Sequence, residues 1–180
     1  MTQTALATNL EQCTIRPLSS SDMSAFRAIR LEAIQSDPSV FAASYEEEKA
    51  RTAQQWRELA KETNERCWIG VFNEGELVGI TAAMKWTGDA SGKSAIFRSS
   101  YVKPEYRGRG LASKLCDARA EWADKNGYNV AMLFHREGHW IAKVVKEFGG
   151  VYHHTEPMRF ADGSTANAIW YKKDLTLIPA

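Results

Sequence analysis

Residues 102 to 112 read Val102-Lys103-Pro104-Glu105-Tyr106-Arg107-Gly108-Arg109-Gly110-Leu111-Ala112, and most of what this chain discloses starts there. A strand candidate, Ser94 to Val102, ends; Pro104 breaks it; a basic loop with two glycines follows and opens a helix. The first turn of a helix carries backbone N–H groups without intrahelical partners, at the positive end of the dipole. Gly108 and Gly110 remove side chains that would keep anionic oxygens away from those groups. Arg107 and Arg109 add charge and further donors. The stretch therefore reads as a phosphate cradle. It lacks the Gly-Lys-Ser/Thr of a Walker A loop and the third glycine of the dinucleotide fingerprint. A glycine turn with two solvated arginines is an equally good reading of these residues alone.

Toward the C-terminus, Leu111, Leu115, Cys116, Trp122 and Ala123 share one helical face up to Gly127. Asn129 to His135 predicts a strand, so strand, helix, strand implies a parallel crossover. Trp140 to Phe148 predicts a last helix before Gly149-Gly150. Val151 to Phe160 and Asn167 to Leu175 form a hairpin around Asp162-Gly163-Ser164. Toward the N-terminus, Cys67 to Phe72, Leu77 to Trp86 and Ser94 to Val102 make a three-strand meander. Before it, Met23 to Ile34 has helical spacing and stops at Asp37-Pro38. Thr52-x-x-Gln55 is a capping box for a second helix carrying Trp56 and Leu59. The acidic run Glu46-Glu47-Glu48 is expected in the loop between these helices, and Cys13 to Pro17 is a further short strand. The sum is an α+β fold, a mixed, mostly antiparallel sheet of about seven strands with helices on its faces.

Composition agrees. A chain of 180 residues suits one domain, here 13–180, preceded by a disordered tail over 1–12. A net charge of +1 argues against nucleic acid or an anionic membrane surface as partner. No apolar run approaches the roughly 18 residues of a spanning helix, and residues 1–12 lack the pattern of a signal peptide. Cys13, Cys67 and Cys116 are odd in number and far apart, the pattern of reduced thiols, so a cytoplasmic location is expected. His135-x-x-x-His139 is interrupted by Gly138 and lacks the glutamate of the zinc motif, so no metal is expected. Trp68, Trp86, Trp122, Trp140 and Trp170 are expected mostly in the core.

Arg107-x-x-Gly110-x-Ala112, with Ser100-Tyr101-Val102-x-Pro104-Glu105-Tyr106-Arg107-Gly108 leading into it, resembles the pyrophosphate loop of the GNAT superfamily of acyl-CoA-dependent N-acetyltransferases. The order of elements is similar to that superfamily from about Thr14 to Leu175, and Phe41 to Glu48 is similar to a segment of many small bacterial members. The resemblance implies acetyl-CoA as co-substrate, held in a cleft between two splayed strands. Backbone groups at Ser100, Tyr101 and Val102 would pair with the pantetheine arm as an added strand does. Arg107, Gly108, Arg109, Gly110, Leu111, Ala112 and Ser113 would hold the pyrophosphate. An amine would attack the thioester directly, with a strand N–H receiving the oxyanion.

The sequence departs from that family at two positions. His139 stands where an asparagine often contacts the cofactor, and Lys146 where a tyrosine often protonates the leaving thiolate. His139 is then a candidate for cofactor contact or for the base, and Lys146 for the acid, each against a plain helix-terminal or solvated role. Glu46 and Glu47, with Glu48, are further candidates for the base or for binding a cationic substrate, against an ordinary acidic face. The reading these residues favour is acetyl transfer to a primary amine of a small molecule. A protein or peptide acceptor, and a non-catalytic acyl-CoA-binding module, are the alternatives, and homodimerisation stays open.

Overall fold

The computed structural model describes residues 13–176. The expected tail, 1–12, and the last residues of the expected domain lie outside that range. The strands are β1 (Cys13–Pro17), β2 (Arg66–Asn73), β3 (Glu76–Lys85), β4 (Ser94–Val102), β5 (Val130–Arg136), β6 (Val151–Arg159) and β7 (Thr165–Asp174). The helices are α1 (Met23–Ser36), α2 (Tyr45–Lys49), α3 (Ala53–Ala60), α4 (Leu111–Lys125) and α5 (Ala142–Glu147). The strands form a single sheet in the order β1-β2-β3-β4-β5-β7-β6, antiparallel except for the parallel pair β4–β5. Helix α4 is the crossover that this parallel pair requires.

Helices cover both faces. On one, Phe26, Ile29, Ala33 and Ile34 of α1 and Trp56 of α3 pack on Trp68, Ile80, Ala82 and Tyr101 of the sheet. On the other, Leu111, Leu115, Trp122 and Ala123 of α4 and Val145 of α5 pack on Ile69, Val71, Phe97, Ala131 and Leu133. The central strands β2 and β3 are therefore buried on both faces, and their sequences read as almost unbroken apolar runs. Each fully buried large side chain contributes about 1.5–3 kcal/mol. Edge strand β6 is nearly all exposed and carries Pro157, which the unpaired side of an edge tolerates.

Two expectations are corrected. Glu46-Glu47-Glu48 is not loop but helix α2, because Ser44 caps it: Glu47 N–H donates to Ser44 Oγ (3.3 Å) and Ser44 N–H to the Glu47 carboxylate (3.1 Å). Trp140 is not core: it lies in the turn before a shorter α5 than expected and is 61% exposed. The other four tryptophans named above pack as expected, Trp86 and Trp170 with ring centroids 6.2 Å apart. Burial pushes the Cys67 thiol up to about 12, consistent with an inert core thiol.

Candidate active site

Strands β4 and β5 pair from Ser94↔Val130 to Phe97↔Leu133 and no further. Beyond that point Arg98–Val102 and Phe134–Arg136 run without pairing to each other. The cause lies in β4. Ile80 pairs with Tyr101 while Ala82 pairs with Arg98, so two residues of β3 oppose three of β4, a bulge. Ser99 takes the extra turn with φ +60°, which for a residue other than glycine costs about 1–2 kcal/mol. The kink turns β4 away from β5 and opens a gap with strand backbone along one wall.

The basic loop forms one end of the gap. Gly108 and Gly110 have φ of +71° and +76°, and a Cβ on either would meet nothing within 4 Å, so glycine serves the backbone while the space above stays clear. Gly110 is the N-cap of α4 and offers no side-chain cap. The first intrahelical bond runs from Lys114 N–H to the Gly110 carbonyl (3.2 Å), leaving Leu111, Ala112 and Ser113 N–H ahead of it. This part of the chain fits a pyrophosphate. Arg107 also has a structural task. Its N–H donates to the Pro104 carbonyl (3.1 Å) and its Nε to the Val102 carbonyl (2.8 Å), so it staples the loop to the strand end. Lys103 N–H donates to the Val78 carbonyl (2.9 Å); by strand alternation the backbone of Tyr101 also faces β3, and that of Val102 faces the gap. Tyr101 is thus not a backbone partner for an added strand. Its ring is buried, and its O–H donates to Glu32 (2.8 Å); burial, then this bond, raises its pKa.

On the α4 face of β4, Ser100 is exposed to the gap and bridges two buried groups. Its Oγ lies 2.8 Å from Thr81 Oγ1 and accepts from Arg119 Nη1 at 3.1 Å. Arg119 is 4% exposed, stacks over Phe97, and its Nη2 donates to Cys116 Sγ. Nothing in the local sequence marks this network; the i, i+3 spacing of Cys116 and Arg119 is its only trace.

The α1 face holds the sequence-predicted acids and His139. Of the three glutamates only Glu48 turns inward, 4% exposed, with one oxygen accepting from Arg30 Nη2 (3.3 Å) and the other from Arg51 Nε (2.7 Å). Glu46 is exposed, and the Glu47 carboxylate is exposed and spent on the cap, which holds its pKa below the ordinary value. The structure therefore brings neither to the gap. Lys146 is likewise exposed to solvent. His139 lies in the turn after β5, with Nε2 3.5 Å from Asp37 Oδ2, across from the end of α1. Its Nδ1 accepts from Ile141 N–H (3.3 Å). Burial lowers its pKa more than Asp37 raises it, so the neutral ring is favoured. The sequence marks Asp37 only as a helix stop. His135 is buried and held by the Arg136 carbonyl and the Tyr171 hydroxyl.

Arg136 of β5 ties the connection after α1 to the β6–β7 turn: Nη1 donates to the Ser39 carbonyl (3.1 Å), Asp162 (3.2 Å) and Ser164 (2.9 Å). Ala161 N–H adds a bond to the Phe41 carbonyl (2.7 Å). Two surface hollows, one along Thr63–Arg66 and one at Ala42, Ser44, Glu47 and Arg159–Ala161, include no residue of β4 or β5. Among the described residues no helix is long and apolar enough to cross a membrane, and no group of three metal-ligating side chains gathers.

The model of the Acetyltransferase (GNAT) family matches residues 28–140, more than half of the chain. The chain belongs to that family and is an acyltransferase. Among solved structures it is similar to a putative acetyltransferase from Salmonella typhimurium solved with its cofactor acetyl-CoA (17% identity, 93% of this chain and 96% of that one, TM-score 0.75). It is also similar to a GCN5-related N-acetyltransferase from Kribbella flavida (18% identity, 92% and 99%, TM-score 0.74). A third is a ribosomal-protein-alanine N-acetyltransferase from Brucella melitensis (19% identity, 89% and 99%, TM-score 0.72). At these identities the likeness concerns the fold. No curated protein matches the chain.

Proposed function

We propose that this chain, as one domain, transfers an acetyl group from acetyl-CoA to the primary amine of a small molecule. The observation that carries the proposal is the gap itself: β4 and β5 part after Phe97 and Leu133, between the bare N-terminus of α4 and the Asp37–His139 pair. Acetyl-CoA, when bound, supplies the activated acetyl thioester.

The chain's own residues then have distinct tasks. Leu111, Ala112 and Ser113 N–H, with the left-handed Gly108 and Gly110, hold the pyrophosphate. The Val102 backbone aligns the pantetheine arm along the gap. His139 accepts the amine proton at Nδ1: Nε2 faces Asp37 and carries the ring proton, and the long Ile141 contact yields to the acceptor. Asp37 then stabilises the imidazolium. Ser100, with Arg119 behind it, donates to the developing thiolate in place of the family's tyrosine.

A small acceptor is favoured over a peptide by the ties from Arg136 to Ser39 and from Ala161 to Phe41. They join the two walls on the acceptor side, whereas a peptide needs a groove open at both ends. The test is free-thiol release from acetyl-CoA with panels of free amines and of peptides. Turnover confined to peptides overturns the small-molecule reading. For the base, kcat/KM should rise with pH through a midpoint below the ordinary histidine value of 6.5, because burial favours the neutral ring. His139→Gln should lower kcat by about a hundredfold and remove that limb. An unchanged acid limb in the variant excludes His139 as the base.

A further inference from the structure

Four charged side chains meet on the α1 face where β4 leaves β5. Arg30 comes from α1, Glu48 from α2, Arg51 from the segment after α2, and Arg98 is the first β4 residue past the last paired position. Arg98 opposes Ala82, whose side chain lies in the α1-side core, so it points to that face. One carboxylate faces three guanidiniums. Glu48 spends its two oxygens on Arg30 and Arg51. Arg30 is 2% exposed, yet its Nε and Nη1 have no hydrogen-bond partner among the described residues, and its other neighbours are the rings of Phe41 and Trp68. Arg98 is half-buried, its charge is opposed by Glu48 and set against Arg30, and no hydrogen bond to its guanidinium occurs among the described residues.

A half-buried guanidinium beside a fully buried one, with a surplus of two positive charges, is costly unless an anion completes it. The flat fork of Arg98 fits a two-oxygen acceptor. We propose that Arg98, backed by Arg30, binds the carboxylate of the acceptor, so that the enzyme acetylates the amine of a free amino acid. This rests on the acetyl-transfer reading for the position of the reacting amine. Arg98 stands at the vertex of the gap, so a carboxylate held there leaves an α-amine within a few bonds of the opening. An amine without an acid group would leave the cluster uncompensated.

The test compares free amino acids with their carboxamides, which lack that charge, by thiol release from acetyl-CoA at a pH above the titration of both α-amines. At least one amino acid should exceed its amide about tenfold or more in kcat/KM, the loss expected for one charged hydrogen-bonded contact. Arg98→Met should erase that advantage by raising KM for the acid while KM for acetyl-CoA holds. Arg98→Lys, which keeps the charge without the fork, should retain part of it and guards against misfolding of the first variant. Amides equal to acids in the wild type, or equal losses on both in Arg98→Met, overturn the proposal. A second readout needs no turnover: calorimetric titration with N-acetyl amino acids, which carry the carboxylate but no reactive amine. If no amine is acetylated, yet these bind the wild type and not Arg98→Met, the carboxylate site stands and acetyl transfer falls. If they do not bind and acids show no advantage, the site falls.

Discussion

Strands β4 and β5 are one seam with two halves. From Ser94 to Phe97 they are paired, and the facing residues are Ala95, Ile96, Phe97, Ala131, Met132 and Leu133, all buried. From Arg98 onward they part, and β4 changes to Arg98, Ser99 and Ser100, none of them fully buried. On one face of the first half α4 and α5 supply apolar side chains, and on the other Ile96 and Met132 pack with Ala168 and Trp170 of β7. The helices beside the second half supply Arg119 from one face and Arg30 with Glu48 from the other. A single bulge separates a half that holds the fold from a half free for a ligand. Its strained Ser99 is tolerated because β3 keeps pairing on the far side of β4.

Substitutions in the two halves should therefore fail differently. The largest effect is expected at the head of the open half. Gly110→Asp sets a carboxylate in the cradle, and acetyl-CoA affinity measured by calorimetry should fall by about a thousandfold or more. Aspartate strains this left-handed cap by about 1–2 kcal/mol, so the melting temperature should fall only modestly. Intact affinity in the folded variant would detach the cradle from the gap. In the paired half, Leu133→Ala should cost about 3 kcal/mol in denaturant unfolding, while the folded fraction keeps its affinity for acetyl-CoA. A loss of affinity without loss of stability would erase the distinction between the halves. The smallest effect is at the junction: Ser100→Ala should lower kcat by about tenfold, cost about 1–3 kcal/mol of stability by leaving Arg119 Nη1 without its acceptor, and leave acetyl-CoA binding unchanged. A full kcat in that variant would reduce the Ser100–Arg119 pair to support for the bulge.

Local sequence signals located most of this. The Thr52/Gln55 box starts α3, Asp37-Pro38 ends α1, and Gly108 and Gly110 mark the turn into α4. Each works through the dihedral angles and backbone bonds of a few adjacent residues. The acidic run misled because Ser44 supplies a cap whose partner, Glu47, belongs to the run itself. Arg107 carries a second task that a basic residue in a glycine loop does not announce, because a carbonyl five residues back takes its Nε.

By itself the sequence determined the order of elements, the two buried faces of the sheet and the glycine loop at the start of α4, since periodicity, caps and glycine angles act over a turn or a few residues. Only the tertiary structure decided which of three glutamates turns inward, that Asp37 meets His139, and that Arg30, Glu48 and Arg98 share one place. Those partners are far apart in the chain. A side chain's spacing says which face of its own element it occupies, whereas its partner depends on how α1 and α2 settle on a strand that has been bent away from its neighbour.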